Sequence, residues 1–277
     1  MRIHITADME GIAGLSHDDQ VDYKGFDYPR MRDIMTGEVQ AAIEGARDAG
    51  AEEIVICDAH DTGRNILTEK LDKDVEVIQG SPYELGMMSG IAEGFHASFQ
   101  IGYHSMRHTQ AGTLGHTYTF NISELKFNGT TIGESGLSAA IAGHFGVPLA
   151  LVSGDLHAVN QARRLVKNVI GVPTKEGVGI YGVRSLTPPR ARELIRRGAK
   201  EALTRLDDMK PFVVKRPVQM EVQLERPLMA EHVSNIPLVK RVDMRTVSYK
   251  AKDVLDAFRV FQLINWVASY AKDEGPL

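Results

Sequence analysis

A single cysteine, Cys57, leaves this 277-residue chain unable to form an internal disulfide, a state that suits a reducing cytoplasm. The residue lies in the apolar run Ile54-Val55-Ile56 and reads as a buried strand residue rather than a nucleophile. Long apolar stretches are also missing. No run approaches ~18 residues, which excludes a spanning helix. Blocks of like charge are absent too: 32 basic and 36 acidic residues are interspersed, the net charge is -4, and no electrostatic footprint for nucleic acid or an anionic membrane results. Residues 1–7 lack a basic segment, an apolar segment and a small-residue cleavage site, so no signal peptide is expected. No internal repeat, low-complexity tract or Gly/Ser linker interrupts the chain. What is left is globular, at 43% hydrophobic and 25% charged residues, with a small molecule or peptide as the expected partner.

The hydrophobic pattern predicts an α/β fold. Residues 2–7 alternate as a strand, with Ile3 and Ile5 on one face. Met31, Ile34, Met35, Val39, Ile43 and Ala46 then recur at helical spacing, and Gly50 provides a stop. Further strands are expected at 54–57, 75–78 and 99–103, with helical stretches near 83–93, and crossovers of this kind imply a mostly parallel sheet flanked by helices. Between 117 and 132 the turn dipeptide Asn128-Gly129 predicts an antiparallel hairpin. A helix over 135–144, a strand at 149–152 and a helix opened by Pro188-Pro189 and running to about Leu206 follow. From Phe212 the pattern is strand, strand, then a helix over 251–270. A catalytic α/β domain over 1–208 and a smaller C-terminal α+β lobe over 209–277 are therefore expected.

Polar residues fall where strands end. Asp8 and Glu10 follow the first strand, Asp58 and His60 the second, and His104 the fourth. Open parallel sheets bind ligands beyond the carboxyl ends of their strands, so these side chains would meet in one crevice. Aspartate at such a place is often only a cap or turn residue. Glu10 and His60 are not preferred caps, however, and each stands two residues after an aspartate. A mixed carboxylate and imidazole set suits zinc or manganese rather than calcium, and five donors exceed the need of one ion. His108 sits in a polar loop and reads as a solvated histidine. His116, between Gly115 and a strand-like run, is either a chemical or a hydrogen-bonded structural residue. Glu134 is either a helix-terminal charge, worth ~0.3–1 kcal/mol through the dipole, or a ligand.

In order, Asp8-Met-Glu10, Asp58-Ala-His60, His104, Gly112-Thr-Leu-Gly-His116-Thr and Gly133-Glu134 resemble the zinc D-aminopeptidase family typified by the enzyme of bacterial dipeptide-transport operons. The resemblance implies a binuclear zinc centre, two ions per chain, with Asp8, Glu10, His60, His104 and Glu134 at the ligand positions. It also implies a catalytic histidine at His116, acting as base, acid or nucleophile. Asp58 is not a carried-over ligand and is expected to orient His60 or a neighbour. Short peptides with an N-terminal D-residue, such as D-Ala-D-Ala, are the implied substrates, and a decamer enclosing its active sites is the implied homo-oligomer. Beyond about residue 210 no motif is recognised. The residues alone leave open another two-metal hydrolase, acting on a cyclic amide or a phosphoester with Arg64 and Arg107 as the cations near the motifs, and a solute-binding module without chemistry.

Overall fold

The computed structural model describes residues 1–81, 84–179 and 181–271. In chain order the elements are β1 (Arg2–Ala7), α1 (Tyr28–Asp48), β2 (Glu53–Asp58), β3 (Glu76–Ile78), β4 (Ala97–Tyr103), β5 (Ile122–Phe127), β6 (Thr130–Ile132), α2 (Glu134–His144) and β7 (Leu149–Asp155). They continue as α3 (Leu156–Leu165), β8 (Ile170–Gly177), β9 (Val183–Ser185), α4 (Pro188–Thr204), β10 (Val218–Leu224), α5 (Pro227–Val233), β11 (Lys240–Arg241), β12 (Thr246–Ala251) and α6 (Val254–Tyr270).

Seven strands form one sheet in the order β3-β2-β1-β4-β7-β8-β9. All neighbours are parallel except β8 and β9. The chain builds outward from β1 through β2 to β3 and then returns to place β4 on the other side of β1. The order therefore reverses between β1 and β4, and a crevice opens at their carboxyl ends. Ile3 and Ile5 pack with Met31, Met35, Val39 and Ile43 of α1 and with Ile195 and Ala199 of α4 on one face. The other face meets α2 and α3.

The hairpin expected around Asn128-Gly129 is β5–β6, with both turn residues at positive φ (51° and 78°) as a two-residue turn of this hand requires. Its partners come from far along the chain: β5 pairs with β10, giving a second, antiparallel sheet β11-β12-β10-β5-β6 whose core includes Phe258 and Phe261 of α6. A cut of the chain near residue 208 thus crosses this sheet. In the 83–93 region the described residues make only the short 3-10 turns Gly86–Met88 and Ile91–Glu93, because Gly86, Gly90 and Gly94 adopt positive φ and break the helix; residue 83 lies outside the described residues. The pattern also passed over α3, β8, β9 and α5. Among the described residues no helix is long and apolar enough to cross a membrane.

His4 illustrates a cost of the central strand. Its ring is fully buried and donates from Nε2 to the Ser89 carbonyl (2.9 Å), and burial pushes the imidazole from 6.5 down to about 4. The folded state holds His4 neutral, so its contribution is present above pH 6.5 and is lost as pH falls from there toward 4. Between pH 7 and pH 5 the loss is about 2 kcal/mol. Urea unfolding at the two pH values should show His4→Phe losing less stability than the wild-type protein; an equal loss in both would rule this group out as the source.

Candidate metal centre

Three neighbouring strand ends bring the polar residues together. Asp8 leaves β1 with its amide bonded to the Ile101 carbonyl of β4, and Gly11 donates to the Gly102 carbonyl, so the β1 loop is stitched to the end of β4. This close approach requires glycine at 102: its φ is +74°, and a Cβ there would lie 2.2 Å from the Asp8 carbonyl oxygen. His104 follows directly. Glu134 comes in from the first turn of α2, and His116 from the loop between β4 and β5.

The donor atoms converge closely. His60 Nδ1 lies 3.0 Å from Glu10 Oε2 and 3.4 Å from Asp8 Oδ1. His104 Nε2 lies 3.4 Å from both Asp8 Oδ2 and Glu134 Oε1. His116 Nε2 is 3.7 Å from Glu134 Oε1. Two sets, Asp8–Glu10–His104 and His104–His116–Glu134, each place three donor atoms within 4.8 Å of one another. Asp8 Oδ2, Glu10 Oε2 and His104 Nε2 are buried without a hydrogen bond of their own, an arrangement that is costly unless a cation fills the gap.

The opposite ring nitrogens explain why. His60 Nε2 donates to the Val21 carbonyl (3.0 Å), and His104 Nδ1 donates to the Ser105 carbonyl (2.9 Å). With those protons committed, the neutral rings turn lone pairs toward carboxylates. Only a second ring proton or a metal cation makes that juxtaposition favourable. Without a cation, burial opposes the imidazolium forms, yet Glu10 and Asp8 push His60 well up, and Glu134 does the same for His104. Burial together with Glu10 pushes Asp8 up to about 7. Burial works against the ionised forms of Glu10 and Glu134 as well, but His60 holds Glu10 well below the usual carboxylate range and His104 holds Glu134 low. The residues present fit a transition metal.

His116 differs from the other two histidines. It stacks on His104 (4.1 Å between ring centres) and borders a cavity of about 650 Å³, while His104 is sealed beneath it. Its Nδ1 donates to the Leu114 carbonyl (2.8 Å), so Nε2 carries the free lone pair. Burial, and then His104, lower its pKa. Leu114 and Tyr118 both adopt positive φ (50° and 63°), which sets the carbonyl of one on His116 and the amide of the other on Glu134 Oε1 (2.7 Å).

Asp58 stays out of the donor set. It accepts from Asn65 N and Nδ2 and from Ile66 N, while Asn65 Nδ2 also donates to the His60 carbonyl, so Asp58 shapes the His60 loop. His108 is exposed and pairs with Glu225 (3.0 Å). Arg107 spends its charge on the same Glu225 (3.0 Å), Arg64 bonds Thr62, and neither lines the cavity. Two supporting residues went unread in the sequence. Asp155 ends β7, caps α3 and accepts from Ser105 N (2.8 Å); it stands at the carboxyl end of a strand, as Asp58 does and Asp8 nearly does, so the same rule could have found it. Buried Lys175 of β8 donates to the carbonyls of Glu10 and Leu15 (2.7 Å to the latter), and no local signal marks it.

Residues 1–263 match the family model described as D-aminopeptidase. The chain is 31% identical to a D-aminopeptidase of Bacillus subtilis over 270 residues, covering 97% of this chain and 98% of that one. Its fold is similar to a solved structure described as the Zn-dependent D-aminopeptidase DppA from Bacillus subtilis, a self-compartmentalizing protease, with a TM-score of 0.95, 29% identity and 98% of each chain covered.

Proposed function

The chain belongs to the D-aminopeptidase family, and from that premise we propose that it removes the N-terminal D-residue from short peptides of the D-Ala-D-Ala type. In this reading a binuclear zinc centre is held by Asp8, Glu10, His60, His104 and Glu134, and His116 carries the proton. The observation that supports it most is the pair of imidazoles whose inward nitrogens face buried carboxylates, at 3.0 Å for His60 and Glu10 and 3.4 Å for His104 and Asp8, while their outward nitrogens donate to backbone carbonyls. Zinc, when bound, lowers the pKa of water toward ~7 and polarises the scissile carbonyl. His116 Nε2, unprotonated and facing the cavity, accepts a proton from the attacking water and returns it to the leaving amine. Asp58, through Asn65, holds the His60 loop, and Tyr118 N fixes one oxygen of Glu134.

A phosphoester substrate is disfavoured because no Lys or Arg lines the cavity among the described residues. A cytoplasmic location is proposed on the buried, unpaired Cys57. The test of the activity is a pair of stereoisomers: zinc-loaded protein should cleave D-Ala-D-Ala faster than L-Ala-L-Ala. Equal rates on both would return the site to the wider class of two-metal hydrolases.

Closure into a decamer with enclosed active sites is part of the same proposal, supported by the relative described as self-compartmentalizing. Light scattering is expected to give a mass near ten chains, and a clean monomer would remove the enclosure.

A further inference from the structure

One wall of the cavity is built from a segment without any motif. Gln262, Asn265 and Trp266 of α6 stand at i, i+3 and i+4, share one helix face, and all border the cavity. The inner side of α6 packs Phe258, Phe261, Ile264 and Ala268 into the core of the antiparallel sheet, which fixes how this polar edge is presented.

The edge offers hydrogen-bond donors with nothing to donate to. Asn265 is 8% exposed, and its Oδ1 accepts from Thr119 Oγ1 at 2.7 Å. A carboxamide is planar, so anchoring the oxygen on Thr119 turns Nδ2 to the other side, where neither proton meets an acceptor among the described residues. The Gln262 amide makes no hydrogen bond at all among them. Trp266, 50% exposed, adds an indole N–H and an apolar ring. A nine-tenths buried amide with free donors loses free energy unless water or a ligand accepts from it.

The rest of the cavity has the opposite character. Beyond the acids that would be taken up by the zinc ions, Asp18, Asp22 and Asp61 come from the loops after β1 and β2 to the cavity, and no Lys or Arg lines it among the described residues. A short peptide with free ends brings an ammonium and a carboxylate. The ammonium is drawn to the acids. The carboxylate is repelled by them and, among the described side chains that line the cavity, finds uncommitted N–H donors along α6, since the His60 and His116 ring protons are spent on the Val21 and Leu114 carbonyls.

We infer that α6 binds the C-terminal, carboxylate end of the peptide substrate, through the Gln262 and Asn265 amides, with Trp266 packed against the adjoining residue. This rests on the aminopeptidase reading and adds to it the orientation of the peptide and the class of group that the far wall accepts. Specificity of this kind resides in a neutral amide, so making it anionic while keeping its shape should turn attraction into repulsion.

The experiment compares D-Ala-D-Ala with D-Ala-D-Ala amide, which lacks the terminal charge, on the zinc-loaded enzyme and on Gln262→Glu and Asn265→Asp. In each variant the KM for the free dipeptide should rise about tenfold or more relative to the KM for the amide, with zinc content retained. Gln262→Glu disturbs no internal hydrogen bond, so it carries the test even if Asn265→Asp folds poorly. An unchanged KM ratio in folded, zinc-loaded Gln262→Glu would overturn the assignment. So would a loss of kcat shared equally by both peptides, since that would make α6 only a support for Tyr118, whose ring packs on Phe258 and Phe261. A wild-type protein inert toward both peptides would overturn the aminopeptidase reading and this inference with it, whereas normal wild-type turnover with an unchanged ratio removes the α6 assignment alone.

Discussion

Replacing His116 by alanine is expected to lower turnover by about 10²–10⁴-fold while leaving metal content unchanged. The expectation rests on how the ring is held. Its Nδ1 proton is committed to the Leu114 carbonyl, so the nitrogen facing the cavity is the basic one. Its pKa is lowered by burial and by the stacked His104, which keeps it ready to accept a proton at neutral pH. At 3.7 Å from Glu134 Oε1, Nε2 is not tied up in a hydrogen bond. Zinc per chain and kcat are to be measured on the purified variant, with circular dichroism as the check on folding. Metal loss would make His116 a ligand, in line with its place in one of the two donor sets. Near-normal turnover would make it structural.

His104→Ala should behave in the opposite way, with metal and activity falling together. His104 lies at the centre of the cluster, 1% exposed, and its Nε2 faces Asp8 on one side and Glu134 on the other. Removing it takes away one of few donors to an ion and leaves Asp8 and Glu134 without the imidazole that stands between them. The wild-type protein, prepared with metal in excess, should hold close to two divalent ions per chain. Chelation should abolish its activity, and zinc should restore it. Retention of both ions by folded His104→Ala would remove this residue from the ligand set; protein that binds no metal at all would sink the hydrolase reading. Asp8→Asn, which exchanges one carboxylate oxygen for an amide NH2 of nearly the same size, guards against a result that reflects poor folding of His104→Ala.

What the sequence determined by itself is what depends on near neighbours along the chain. The alternation of Ile3 and Ile5, the helical spacing from Met31 to Ala46 and the Asn128-Gly129 turn are local physics, and β1, α1 and the β5–β6 hairpin follow from them. Asp8, Glu10, His60 and His104 were legible for a related reason: each lies just past a strand, and a parallel sheet gathers its strand ends at one edge. Only the tertiary structure decided which ends meet. The order β2-β1-β4 makes the three neighbours, and nothing in the hydrophobic pattern sets that order. The pairing of β5 with β10, across almost a hundred residues, is of the same kind, because one strand edge offers the same backbone donors and acceptors as another. Lys175 under the Glu10 loop and the α6 amides over the cavity are polar residues with no local signature. Their roles arise from burial against partners 160 residues away or from facing a cavity that two sheets create together, and those are properties of packing that no stretch of the sequence carries alone.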